Sequence, residues 1–139
     1  MPIERTLAII KPDAVQRGAT AAILARIHQA GLAIHAVKSM RLTPAEAEAF
    51  YGVHRGKPFF PELTAFMSSG KVVVMVLEGE KAIARWRETM GATDPAKAAA
   101  GTIRRDFGTS IGNNCVHGSD AQDTAAFEIS HFFSGCELI

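Results

Sequence analysis

The octapeptide NNCVHGSD, residues 113–120, gathers more chemically useful groups than any other stretch of this 139-residue chain. Its histidine, His117, closes the apolar step Cys115-Val116 and is followed by Gly118, which lets the backbone turn sharply, and by Ser119-Asp120, residue types that cap helices. An imidazole in such a place can be a packed core group, a metal ligand, a general base or a nucleophile. Beside a helix N-terminus, amide donors and the positive end of the helix dipole favour an anion, so a phosphoryl group held against this ring would be stabilised. The other four histidines have plainer readings: His28 and His131 fall in expected helices, His35 in an expected strand and His54 in a polar loop.

A second group bears on His117. In the last helical stretch Ala121, Ala125, Glu128 and Phe132 recur at spacings of four, three and four, which puts Glu128 on the apolar stripe. A carboxylate turned toward a core needs a partner, and His117 is the candidate: Glu128 would accept from one ring nitrogen and leave the other with a free lone pair. The alternative is a rotated helix with Glu128 in solvent. An ordinary imidazole has a pKa near 6.5, so at neutral pH most of it is already nucleophilic and a carboxylate would chiefly orient it. Attack on phosphorus would form a phosphohistidine and divide one transfer into two displacements. Such transfer is mostly positioning and charge stabilisation, so cations should flank the phosphate oxygens, although any single lysine or arginine is more simply read as a solvated surface group.

Familiar phosphate and hydrolase signatures are missing. GVHRGKP, residues 52–58, has three residues between its glycines where a Walker A loop needs four, and Pro58 follows the lysine. No GxGxxG, HExxH, GxSxG or CxxC occurs. The composition, 47% hydrophobic and 21% charged with net charge +1, is that of an ordinary globule and disfavours bulk electrostatic binding to nucleic acid or membranes. The longest apolar run, VVVMVL at 72–77, is far too short to span a bilayer, and MPIERTLAII lacks a secretory layout, so a cytoplasmic protein is expected. Cys115 and Cys136 fit no paired or zinc-binding spacing and are expected to be reduced and structural.

The elements that must carry these groups follow from periodicity. ERTLAII reads as an opening strand, KPDAVQRG as a loop or short helical turn, and TAAILARIHQAG as a helix closed by Gly31. Residues 32–42 alternate as a half-buried strand. Thr43, Pro44 and Glu46 mark a helix start, FFPELTAFMSSG a second helix, KVVVMVLEG the most apolar strand, and GEKAIARWRETMG a helix closed by Gly91. Residues 92–112 show no period and read as a long functional loop. SDAQDTAAFEISHFF is the final helix. The order predicts one domain over residues 1–139, an α+β sandwich with a mainly antiparallel sheet and helices on one face.

Taken together, NNCVHGSD, Glu128, GTIRRDFG, IKPDAVQRG, HRGKPFF, TDPAKAAAGTIR and the terminal EISHFF make the chain resemble the nucleoside diphosphate kinases over essentially its whole length. The resemblance implies a ferredoxin-like βαββαβ core with a four-stranded sheet and ping-pong transfer of the γ-phosphoryl group from a nucleoside triphosphate to a nucleoside diphosphate, with His117 as the transient phosphohistidine. It places Lys11, Tyr51, Arg87, Thr93, Arg104 and Asn114 around phosphates and sugar, Phe59 beneath the base, and Glu128 and Ser119 in support of the nucleophile. A flat ring at Phe59 can stack on any base, so broad base tolerance is expected. Mg²⁺ is expected to arrive on the phosphates, with no protein ligand. A homo-oligomer, tetramer or hexamer, is implied. Lys71, where the family usually has proline, and Arg105, where it usually has a small residue, depart from the pattern away from the proposed chemistry.

Overall fold

The computed structural model describes residues 2–138. Four strands form one antiparallel sheet in the order β2-β3-β1-β4: β1 Ile3–Ile10, β2 Ala33–Arg41, β3 Lys71–Glu80 and β4 Val116–Gly118. β1 and β3, in the middle, pair over their full facing lengths from Ile3 opposite Glu80 to Ile10 opposite Val73. Their near-continuous apolar runs are explained by what lies above and below them, since a strand covered on both faces has no solvent side on which to place polar residues. Helices α1 Pro12–Gln16 and α2 Thr20–Gln29 connect β1 to β2, and α3 Pro44–Phe50 and α4 Phe60–Met67 connect β2 to β3. α5 Ala82–Met90 and α6 Ile103–Phe107 lead from β3 to β4, and α7 Gln122–Phe132 follows β4. This is the βαββαβ core expected, with α3 and α4 added between β2 and β3.

The helices cover both faces of the sheet, which corrects the expectation of one covered face. Ala8, Ile10, Met75 and Leu77 pack with Ile23, Ile27 and Trp86 of α2 and α5. On the opposite face Leu7, Ile9, Val74 and Val76 pack with Ala47, Phe50 and Met67 of α3 and α4 and Phe132 of α7. Alternation along a strand sends successive side chains to opposite faces, so apolar residues at every position demand two cores. β2, at the sheet edge, is covered far less, with Val37 53% exposed.

Most boundaries follow local signals. Thr43 accepts from the Glu46 amide at 3.1 Å while Glu46 accepts from the Thr43 amide at 2.9 Å, the reciprocal capping pair that starts α3. Two expectations fail. Residues 92–112 are not a plain loop: they hold a 3₁₀ turn, Pro95–Lys97, and α6, whose five residues are too few to show a helical period. Arg26 pins this segment from α2, donating to the Gly101 carbonyl at 2.9 Å and to Asp106 at 2.6 Å. Nor do Ser119 and Asp120 cap α7. The helix begins later, with Ala121 at its N-cap and the Thr124 hydroxyl accepting from the Ala121 amide at 2.9 Å. Both cysteines are free thiols, but only Cys115 is packed; Cys136 is exposed and has no structural role of the kind expected. Lys71 is the exposed first residue of β3, and Arg105 reaches the Ala96 carbonyl at 3.0 Å. Among the described residues no helix is long and apolar enough to cross a membrane.

Candidate active site

His117 is the central residue of β4, opposite Ile9 of the buried strand β1. Its carbonyl accepts from the Trp86 indole at 3.1 Å, and Trp86 lies so close that a Cβ on Gly118 would come within 2.6 Å of it and of Met90. Glycine at 118 is therefore required by the approach of α5 to β4. The imidazole meets Phe50 edge to face, with centroids 5.4 Å apart, and Tyr51 at 6.2 Å. Its Nε2 lies 2.7 Å from Glu128 Oε1, and that oxygen also accepts from the Ser119 hydroxyl at 3.0 Å.

Ser119 is fully buried, and its hydroxyl accepts from the Leu7 amide at 3.2 Å, so a β1 amide, a hydroxyl and a carboxylate form one chain ending at the ring. An ionised carboxylate only accepts, which places the ring proton on Nε2 and leaves the lone pair on Nδ1. Among the described residues Nδ1 has no hydrogen-bond partner. The side chains of His117 and Glu128 are 20% and 14% exposed, enclosed enough to be held and open enough to be reached.

Lys11, at the end of β1, donates to Asn114 Oδ1 at 2.9 Å, and the Asn114 amide donates to the Thr93 carbonyl at 3.1 Å. Burial, with the neighbouring Arg104 charge, pushes the Lys11 amine down to about 8. Arg104, on α6, is itself buried and donates to the carbonyls of Gly91, Asn114 and Val116 at 3.1, 3.3 and 2.8 Å, so much of its fork is occupied in bracing the backbone beside His117. Burial, followed by the charge of Arg87, lowers its pKa.

Tyr51, at the end of α3, is buried with its hydroxyl unpartnered among the described residues, and its pKa is raised, first by burial and then by Glu128. It borders both the cleft beside His117 and an adjoining slot. That slot is lined by Phe59, Leu63, Phe66 and Ile111, with Lys11, Thr93 and Asn114 also lining it. Phe59 is 47% exposed whereas Phe60 beside it is buried, which separates a ring available for stacking from a core ring. Arg87, on α5, stands outside the slot and pairs with Asp120 at 2.8 Å.

The structure thus brings Lys11, Tyr51, Phe59, Thr93 and Asn114 to one slot and His117 and Glu128 to the adjoining cleft, with Ser119 buried and bonded to Glu128, Arg104 bonded to the backbone beside His117, and Arg87, outside both, paired with Asp120. Residue-by-residue reading left out His54. It lies between Tyr51 and Phe59, at centroid distances of 6.4 and 5.2 Å, and borders the cleft with His117. Its placement three residues after Tyr51 and five before Phe59 was the available signal. Ile111, in a segment read as a long functional loop without any residue being singled out, was also missed, as was Asp120 as the partner of Arg87.

The nucleoside diphosphate kinase family profile matches residues 4–138. The chain belongs to this family. It is 61% identical over 139 residues to the nucleoside diphosphate kinase of Cereibacter sphaeroides, covering all of this chain and 99% of that one. With the Syntrophotalea carbinolica enzyme it shares 58% over 137 residues, 99% and 100% of the two chains. Among solved structures, the Aquifex aeolicus nucleoside diphosphate kinase superposes with a TM-score of 0.96 at 51% identity, covering 99% of this chain and 100% of that one. A Halobacterium salinarum nucleoside diphosphate kinase in complex with CDP superposes with a TM-score of 0.95 at 44% identity, covering 99% and 92%. The chain is accordingly a phosphotransferase acting on nucleotides, and the family's reaction runs ping-pong through a phosphohistidine.

Proposed function

We propose that His117 is the residue that carries the phosphoryl group. The observation that supports this most is the ring held by Glu128 at Nε2, 2.7 Å away, with Nδ1 left unengaged among the described residues. In the first half-reaction Nδ1 attacks the γ-phosphorus of a nucleoside triphosphate; the N–P bond forms, the bond from phosphorus to the β,γ-bridging oxygen breaks, and the electron pair leaves with the diphosphate. The ring keeps its Nε2 proton and becomes cationic, and Glu128 opposes that charge. In the second half-reaction an oxygen of an incoming diphosphate attacks the phosphorus and the N–P electrons return to Nδ1. Glu128 orients the ring, and Ser119 holds Glu128.

Lys11, Arg87, Arg104, Thr93 and Asn114 surround the phosphates and sugar in this reading, with Tyr51 between slot and cleft and Phe59 stacked on the base. The Halobacterium relative's complex with CDP supports nucleotide binding by this chain. Mg²⁺ would enter as part of the substrate and offset the charge of its phosphates. We place the protein in the cytoplasm, working as one domain over 1–139 within a homo-oligomer of four or six subunits. The exposed Ile34 and Val37 on the edge strand β2 support an assembled form.

The test is rapid mixing of the protein with Mg–ATP in the absence of acceptor, followed by intact-mass analysis and peptide mapping under mildly basic conditions. One added phosphoryl group on His117, discharged by any nucleoside diphosphate, is expected. Folded protein that binds ATP but gains no mass would overturn the reading.

A further inference from the structure

The backbone immediately before His117 is strained. Residues Asn114, Cys115 and Val116 form a three-residue turn closed by the Val116 amide donating to the Asn114 carbonyl at 2.9 Å, with Cys115 at φ +75°. A turn of this kind with positive φ at its centre is the rare form, and a non-glycine residue there is destabilised. Such a conformation persists only where the surroundings over-determine it.

The braces here are identifiable. The Cys115 amide donates to Asp13 Oδ2 at 3.1 Å, a contact spanning 102 positions of sequence, and the Cys115 carbonyl accepts from the Lys11 amide at 2.7 Å. Arg104 bridges the flanking carbonyls, those of Asn114 and Val116. Arg17 lies 3.5 Å from the Cys115 sulfur and 3.7 Å from Asp13.

Asp13, on α1, supplies the first of these braces. Its side chain is only 10% exposed, and its other oxygen, Oδ1, is buried with no partner among the described residues. An acid near the start of a helix usually serves that helix's own amides or dipole, but α1 has five residues and Asp13 spends its oxygen on the distant Cys115 instead. The thiol is no competing explanation for the site, since burial, reinforced by the Asp13 charge, pushes it up to about 11 and keeps it protonated. The turn lies between Asn114, which holds Lys11, and His117. Relaxation of Cys115 to negative φ would displace both.

We propose that Asp13 is a positioning residue for phosphoryl transfer: by accepting from the Cys115 amide it holds the left-handed turn that sets Asn114 and His117 in place. The proposal rests on His117 as the phosphorylated residue, which the wild-type labelling above tests separately. If wild-type His117 labels and the variants below behave otherwise than expected, only the role of Asp13 falls.

The experiment is single-turnover phosphorylation by Mg–ATP of Asp13→Ala, Asp13→Asn and the pair Asp13→Ala with Cys115→Gly, each with a thermal melt. Asp13→Ala is expected to slow phosphorylation roughly tenfold or more, the penalty for a left-handed backbone read as a rate. Asp13→Asn, which keeps an oxygen acceptor without the charge, should stay within about threefold of wild type, as expected when a neutral hydrogen bond replaces a charge-assisted one. The pair should regain most of the rate, because glycine holds positive φ unaided. Should Asp13→Ala prove too unstable to assay, recovery of a folded, active pair supports the proposal equally. A pair no better than Asp13→Ala in either rate or melting, an Asp13→Asn variant as slow as Asp13→Ala, or an Asp13→Ala variant with the wild-type rate overturns it.

Discussion

The two ends of the cleft are built in opposite ways. At the His117 end nearly every polar atom is engaged: the Leu7 amide, the Ser119 hydroxyl, Glu128 and the ring form one chain, and Arg104 and Trp86 hold the backbone on either side. At the other end Phe59 and Ile111, 47% and 61% exposed, face the slot with carbon alone. Displacing a reacting atom by a fraction of an ångström is costly in rate, whereas stacking tolerates sliding and any π-face. Under the proposed roles of His117 and Phe59, a site doing one chemistry on many bases would gain from this division, rigid where the bond forms and permissive where the base rests.

Substitutions should separate the two ends by which kinetic constant they move. The largest effect belongs to His117→Ala, which should abolish steady-state transfer while leaving the melting temperature close to wild type, since the ring borders an open cleft. Transfer retained in that variant would remove the rigid end from the mechanism. Glu128→Ala should lower kcat about ten- to a hundredfold, as the loss of other carboxylates that orient a histidine does. An unchanged kcat would mean that the 2.7 Å contact does not position the ring.

Next is a pH effect at the junction of the two ends. Because the Lys11 amine is pushed down to about 8, it is charged at pH 7 and largely neutral at pH 9 in the empty site. Phosphates favour the charged form, so binding takes up a proton above this value and nucleotide affinity should fall by up to about tenfold per pH unit above 8. Nucleotide KM measured from pH 7 to 9.5 checks the sign; a flat profile would rule it out. The smallest change is expected from Phe59→Ala, which should raise KM roughly five- to tenfold with kcat preserved, the size of a lost base-stacking contact. The increase should be similar for purine and pyrimidine diphosphates, and a strongly base-dependent increase would contradict the permissive character of that end.

How much of this was legible in the sequence depended on length and on the reach of each contact. β1, β2 and β3 and α2, α3, α4, α5 and α7 repeat over enough residues to reveal their type, whereas β4 has only three, and the α3 cap is written in Thr43, Pro44 and Glu46. α6 is too short to have a period, although it carries Arg104. The Glu128 stripe correctly turned that carboxylate toward His117, but nothing local distinguished it from a rotated helix; the 2.7 Å contact does. Ser119 was legible as a capping type and is used otherwise, because a β1 amide 112 positions away claims its hydroxyl. The carbonyl bonds of Arg104 and the aromatic neighbours of His54 are likewise tertiary facts with no local sign.

Trp86 is the only tryptophan in the chain, and its indole N–H rests on the carbonyl of His117. The protein therefore carries one indole fluorophore, fully shielded from water, and a single hydrogen bond joins it to the backbone of the residue proposed to take the phosphoryl group. If the proposed loading of His117 shifts that carbonyl, stopped-flow emission should follow it in real time without a dye, a coupling enzyme or an engineered probe.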